Sequence, residues 1–226
     1  MSRPPLVVLR PEPGLAETVA LAVGMGLATV ATPLFEICPV AWQAPAARDF
    51  DAIIAGSANA FRHGGEQLAP LVSLPIHAVG ERTAEAAREA GFIVASVGAG
   101  RLQELLHQLP APARLLRLAG AERVVLRPPE GIAIEERVVY HADSLPLSPP
   151  AVAAVRAGAT VLLHSGAAAR CFASECDRLA IDRSRVSLCV LAPRIAAAAG
   201  PGWKAVLSAP APTDGGLLAL AENMCQ

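Results

Sequence analysis

The run Ile53 to Phe61 reads IIAGSANAF, an apolar stretch that ends abruptly in a hydroxyl at Ser57 and a carboxamide at Asn59. A second such junction, Val79-Gly80-Glu81-Arg82-Thr83, places glycine and a threonine hydroxyl after another apolar run. A third, TVLLHSG, delivers Ser165 in the same way. In open parallel sheets, ligands bind outside the carboxyl ends of the strands, where the following helices turn unpaired N–H groups and positive dipole ends outwards. Glycine lets the backbone come close to a ligand, and hydroxyls and amides donate to carboxylate or phosphate. The plainer reading of each residue alone is an ordinary helix cap. Several at the same edge of a sheet favour a shared anion site.

Two arginines and a tyrosine extend this set. Arg10 ends the first apolar run and Arg117 sits inside RLLRL. A charge at the top of a buried strand must find water, an anion or an ion-pair partner, so a substrate contact and a structural salt bridge both fit. Tyr140 is the single tyrosine of the chain and stands beside His141 and Asp143. It fits either packing at a hinge or a phenol acting as proton donor. His63 and His107 read as residues of solvated helix faces, and His77 and His164 as core or edge residues of strands. The phosphate-loop lysine pattern and the G-x-G-x-x-G fingerprint are absent, which weakens a nucleotide reading.

The elements that must position these groups alternate. Expected strands are Leu6–Leu9, Leu27–Thr32, Ala52–Ala55, Ile76–Val79, Ile93–Val97, Leu115–Leu118, Val138–Tyr140, Thr160–Leu163, Val186–Leu191 and Lys204–Ser208. Expected helices are Pro11–Gly24, Ser57–Leu71, Arg82–Ala90 and Leu102–Leu109, with Gly91 as a C-cap. Unbroken apolar strands alternating with helices imply an α/β fold with parallel sheets covered on both faces. DAIIAGSANAF is similar to TVLLHSGAAARCF, and AVGERTAEAAREAG to VLAPRIAAAAGPG. This weak repeat suggests two similar domains with a cleft between them, and chain crossings near Pro33–Glu36 and Tyr140–Ser144.

Composition narrows the function. With 226 residues, 53% hydrophobic and 17% charged, the chain has ample material for one large or two small cores. A formal net charge of -1 gives no general attraction to nucleic acid or an anionic membrane, and 4% aromatics is too few for base-stacking platforms. Cys38, Cys171, Cys176, Cys189 and Cys225 include no CxxC pair and no histidine at ligand spacing. Reduced thiols in a cytoplasmic protein are therefore expected, with no metal. The uncharged run Thr18 to Phe35 is interrupted by Gly24, Gly26 and Pro33, so a helix followed by a buried strand is expected rather than a membrane span. No dimer stripe is visible, and a monomer is expected.

A succession of segments along nearly the whole chain resembles the uroporphyrinogen-III synthase family of tetrapyrrole biosynthesis. The landmarks, in order, are VVLRPEP, PLFEI, DFDAIIAGSANAF, PIHAVGERTAEAAREAGF, RLLRLAGAE, VVY at Tyr140, VLLHSGAAARCF and APAPTDGGLLAL. The resemblance implies two flavodoxin-like domains joined by two linkers, one made of residues 1–34 plus 142–226 and the other of 35–141. It implies hydroxymethylbilane as substrate and no cofactor. The reaction it implies is cyclisation with inversion of ring D and loss of water through a spiro intermediate, with Tyr140 as the candidate acid. Implied substrate contacts are Arg10, Ser57, Asn59, Gly80, Thr83, Arg117, Ser165 and Thr213. Three departures stand out. Ala192-Pro193-Arg194-Ile195 replaces a usual Gly and Thr, Gly56 stands where a Thr often precedes the serine, and RVVLRPPEGIAIEERVVY is short, with Pro128-Pro129 interrupting a helix. A non-catalytic binding or regulatory protein on the same scaffold is the alternative, and a sugar-phosphate or nucleotide enzyme a more distant one.

Overall fold

The computed structural model describes residues 4–98 and 101–224, so Cys225 lies outside the described residues. The chain divides into two compact units, Met1–Glu36 with Ser144–Gln226, and Ile37–Asp143.

In the first unit a five-stranded sheet runs in the order β11-β10-β9-β1-β2. These strands are β1 (Leu6–Val8), β2 (Thr29–Ala31), β9 (Thr160–Leu163), β10 (Ser187–Val190) and β11 (Ala205–Ser208). Every pairing is parallel. β1, β9 and β10 are buried along their whole length. That explains their largely apolar sequences, since both faces are covered, with buried Thr160 and Ser187 at the starts of β9 and β10. One face packs under α5 (Pro149–Arg156), α6 (Gly166–Arg178) and α7 (Pro193–Ala199) around fully buried Phe172. The other packs under α1 (Gly14–Gly24) and α8 (Asp214–Met224). Burying Phe172 alone is worth roughly 2–3 kcal/mol.

The second unit carries a six-stranded sheet in the order β3-β8-β7-β4-β5-β6. It comprises β3 (Phe35–Pro39), β4 (Ala52–Ala55), β5 (Ile76–Val79), β6 (Val94–Gly98), β7 (Ala113–Gly120) and β8 (Ile132–Ser144). The β7–β4–β5–β6 succession and the β7–β8 pair are parallel. α2 (Asn59–Arg62) and α3 (Glu81–Glu89) cover one face, and α4 (Leu102–Leu106) the other.

Several elements differ from expectation for physical reasons. The helix expected over Ser57–Leu71 is only a turn long. It ends at His63, and a 3₁₀ segment follows over Gly65–Leu71. Gly65 takes φ +63, a left-handed conformation that stops a helix, and Pro70 lacks the N–H to continue one. The strand expected over Val138–Tyr140 extends to thirteen residues. Phe35 and Glu36, expected within the crossing near Pro33–Glu36, open the edge strand β3, in which no residue is fully buried. No helix of the described residues is long and apolar enough to cross a membrane.

Candidate active site

In the first unit, the carboxyl ends of β1 and β9 and the start of α8 bring Arg10, His164, Ser165, Thr213 and Asp214 together. Arg10 Nη1 donates to both Asp214 oxygens, at 2.8 and 3.0 Å, and to Thr18 Oγ1 at 3.1 Å. His164 Nε2 lies 3.0 Å from Asp214 Oδ1. All three side chains are largely buried, at 15, 12 and 8% exposure for Arg10, Asp214 and His164. The His164 hydrogen bond, helped by the Arg10 charge, overrides burial and holds the Asp214 carboxyl below the usual carboxylate range. For His164 to donate, Nε2 carries the proton. Its buried Nδ1 has no hydrogen-bond partner among the described residues. Gly14 leaves the space that the guanidinium fills, since a Cβ there would stand 2.4 Å from it.

Ser165 caps α6, its Oγ accepting from the Ala168 N–H at 3.1 Å. Thr213 does the same at the start of α8, accepting from the Gly216 N–H at 3.1 Å. Both hydroxyls lie at exposed residues. Arg170, one turn into α6, is a residue that the sequence reading missed. Its Nη1 reaches back over the first residue of the helix, 3.4 Å from where a Gly166 Cβ would lie. The available signal was its place in VLLHSGAAAR, on the turn after a strand-end serine.

In the second unit, Ser57 Oγ accepts from the Asn59 N–H at 3.2 Å, which starts α2. α2 ends at His63, whose ring lies 6.4 Å from the Tyr140 ring, centroid to centroid. Burial, and then the neighbouring Arg62 charge, push the His63 pKa down, so its ring is neutral at pH 7. Tyr140 is half-buried in β8, and its ring lies beside Gly120 at the end of β7. A Cβ at Gly120 would stand 2.6 Å from Cε2 and 2.9 Å from the phenol oxygen. The missing side chain of Gly120 therefore makes the slot for the ring.

The remaining candidates separate. Gly80 takes φ +83 before α3, a turn that side chains resist, and its N–H donates to the Gly98 carbonyl at 2.9 Å. Thr83 is 4% exposed on the inner face of α3. Arg117 is 4% exposed as well, and its guanidinium is held by Glu136 and the Val124 carbonyl at 2.9 Å. Arg123 donates to the other Glu136 oxygen at 2.8 Å. Burial is the largest single influence on Glu136 and would raise its pKa, but the hydrogen bonds from Arg123 and Arg117 and their charges together hold it low. Arg10 and Arg117 thus both sit in structural ion pairs. One group of metal-ligating types also comes together among the described residues, Cys38 with His141 and Asp143.

Taken separately, the two sheet edges offer helix starts, hydroxyls, one open arginine and one fixed phenol, which suits a polyanionic organic substrate and a single proton transfer. The family described as "Uroporphyrinogen-III synthase HemD" matches residues 16–219. A crystal structure of uroporphyrinogen-III synthetase from Helicobacter pylori is similar in fold, with TM-score 0.63 and 18% identity over 97% of this chain and 99% of that one. A mutant uroporphyrinogen III synthase from Thermus thermophilus is similar with TM-score 0.55 and 17% identity, covering 98% of each chain. No curated protein matches. The match over most of its length shows that the chain belongs to the uroporphyrinogen-III synthase family, the cyclising lyases of tetrapyrrole biosynthesis.

Proposed function

We infer that this chain closes hydroxymethylbilane into a macrocycle with ring D inverted and water expelled through a spiro intermediate, with Tyr140 as the acid. The observation that carries the reading is the family match over residues 16–219.

Hydroxymethylbilane also closes unaided, without inversion. The enzyme must therefore hasten loss of the hydroxyl, which leaves an electron-poor azafulvene on the first ring. It must then hold the substituted carbon of ring D against that centre. The spiro intermediate fragments and recloses. Most of this is positioning, for which well-oriented intramolecular reactions gain up to roughly 7–11 kcal/mol. The acid step needs one donor at the departing hydroxyl. Tyr140 fits that role because the bare Gly120 surface fixes its ring and His63, neutral at pH 7, does not compete as a cation.

The substrate's acetate and propionate groups need anion partners. The starts of α3 and α6 supply backbone N–H groups, with Gly80 opening one and Ser165 the other. Each helix end favours an anion by about 0.3–1 kcal/mol. Arg170 adds a charge at the second of them. Ser57, Asn59 and Thr213 complete the set. In this reading Arg10 acts by holding Asp214 and His164 in place, and Arg117 and Thr83 act by holding β7 and α3. Thr83 and Arg117 are too buried to serve as first contacts.

The test supplies porphobilinogen and the deaminase that makes hydroxymethylbilane, adds this protein, oxidises the products and separates the uroporphyrin isomers. Predominantly isomer III is expected. Isomer I alone, from protein shown to be folded, would refute the reading. Tyr140→Phe should slow formation of isomer III by roughly 10²–10⁴-fold, the range for loss of a positioned acid.

A further inference from the structure

The geometry points to a divalent metal site of the zinc class on the β3–β8 strand pair, formed by Cys38, His141 and Asp143. Each residue can present one ligand atom, and these atoms all lie within 4.8 Å of one another. His141 Nε2 and Asp143 Oδ2 are already 3.1 Å apart.

The strand register explains the grouping. The Leu145 N–H donates to the Leu34 carbonyl at 2.8 Å, and the Val40 N–H to the Val139 carbonyl at 3.0 Å. As one strand's number rises the other's falls by the same amount, which is antiparallel pairing. That register sets Cys38 directly across from His141. Residues opposite each other share a face, and so do residues two apart on one strand. Cys38, His141 and Asp143 therefore occupy one side of the pair. Cys38 and His141 are partly covered and Asp143 is exposed, so an ion has a path in from solvent.

The donor set selects the ion. A thiolate, an imidazole and a carboxylate suit Zn²⁺ and its neighbours, whereas Mg²⁺ and Ca²⁺ prefer all-oxygen shells. Three protein ligands leave a fourth tetrahedral position for water. On binding, the Cys38 thiol gives up its proton to solvent and Sγ donates an electron pair to the metal. His141 gives up its bond to Asp143, its ring proton passes through solvent from Nε2 to Nδ1, the freed Nε2 lone pair binds the metal, and Asp143 turns a carboxylate oxygen to the ion. No redox change is involved. The occupied site would tie the edge strand β3 to β8.

The test uses the full chain, reduced and stripped with a chelator. It is titrated with Co²⁺ and then with Zn²⁺ in competition. One equivalent of Co²⁺ should give thiolate-to-metal charge-transfer absorption, which Zn²⁺ removes. The band should be absent in Cys38→Ser, and affinity should fall roughly tenfold or more in His141→Ala and Asp143→Asn. Alkylation of Cys38, followed by peptide mass spectrometry, provides a second measurement. Zn²⁺ should slow it in the parent and leave it unchanged in His141→Ala, which retains the thiol. An undiminished band in Cys38→Ser, or no protection of Cys38 by Zn²⁺ in the parent, would overturn the assignment.

Discussion

Replacing Asp214 by asparagine should destabilise the first unit by about 3 kcal/mol. The carboxylate is the shared partner of Arg10 and His164, and all three side chains are largely buried. Breaking a buried pair costs roughly 3–5 kcal/mol because it strands a charge, and residual exposure of 12–15% argues for the lower end. Asparagine keeps the shape. Its single oxygen cannot serve both donors, and its NH₂ faces a guanidinium. The two tryptophans make the assay specific, because Trp203 lies in the first unit, stacked on Phe172, and Trp42 in the second. In a Trp42→Phe background, urea unfolding followed by Trp203 fluorescence should show a midpoint lowered by about 1–3 M, for a slope of roughly 1–3 kcal/mol per M. Adding Arg10→Met removes the stranded charge and should return part of the loss. The coupling energy should be about 1–3 kcal/mol. Additivity within about 0.5 kcal/mol, or a midpoint unmoved by Asp214→Asn, would refute the reasoning.

Three further outcomes follow from the same geometry. Gly120→Ala places a methyl 2.6 Å from the Tyr140 ring, so isomer III formation should fall on the order of 10²-fold, mostly in kcat; unchanged kinetics would remove Tyr140's slot from the mechanism. The folded-state pKa of Asp214 is depressed, so its contribution is fully present above the unfolded value of about 4 and is lost as pH falls through the folded value. Asp214→Asn should therefore flatten the acid limb of Trp203-reported stability, and Glu136→Gln, in the other unit, should not. Burial pushes the Cys176 thiol up to about 12, so iodoacetamide at neutral pH should label Cys176 only after denaturant is added; prompt labelling in the native protein would contradict its burial.

Local pattern carried much of the fold. β4, β9 and β10 are readable from AIIA, TVLL and SLCV because strands buried on both faces are mostly apolar, with the buried hydroxyls of Thr160 and Ser187 confined to first positions. β3 is harder, since FEICP alternates, touches proline at its end and lies at a sheet edge. The split after α2 was present in Gly64-Gly65 and Pro70, but helical spacing of the apolar residues masked it. α5 and α8, for which no expectation was formed, begin at Pro-Pro and Asp-Gly-Gly, composition that also marks loops. At the site, residue types were legible and partners were not. Whether Arg117 meets substrate or Glu136 depends on the register of β7 against β8, which pairs Arg117 with Glu136. Likewise His164 gains its role only when α8 delivers Asp214 to the end of β9. Spacing between cysteines and histidines excluded a metal because it measures distance along the chain, whereas strand pairing joins Cys38 to His141 across it.

The position of β1 within its sheet has a consequence for biosynthesis. Leu6 pairs on one side with Thr29 and on the other with Thr160. The first partner leaves the ribosome almost at once. The second follows after roughly 130 more residues, about 7–26 s at a translation rate of about 5–20 residues per second. Throughout that interval β1 presents one unsatisfied hydrogen-bonding edge, made of Leu-Val-Val, the kind of edge on which another nascent chain can add. The segment Ile37–Asp143 is continuous and can complete its own sheet during the wait. Maturation of the first unit is therefore gated by the arrival of β9, and slowing translation downstream of residue 143 should increase association of nascent chains with chaperones.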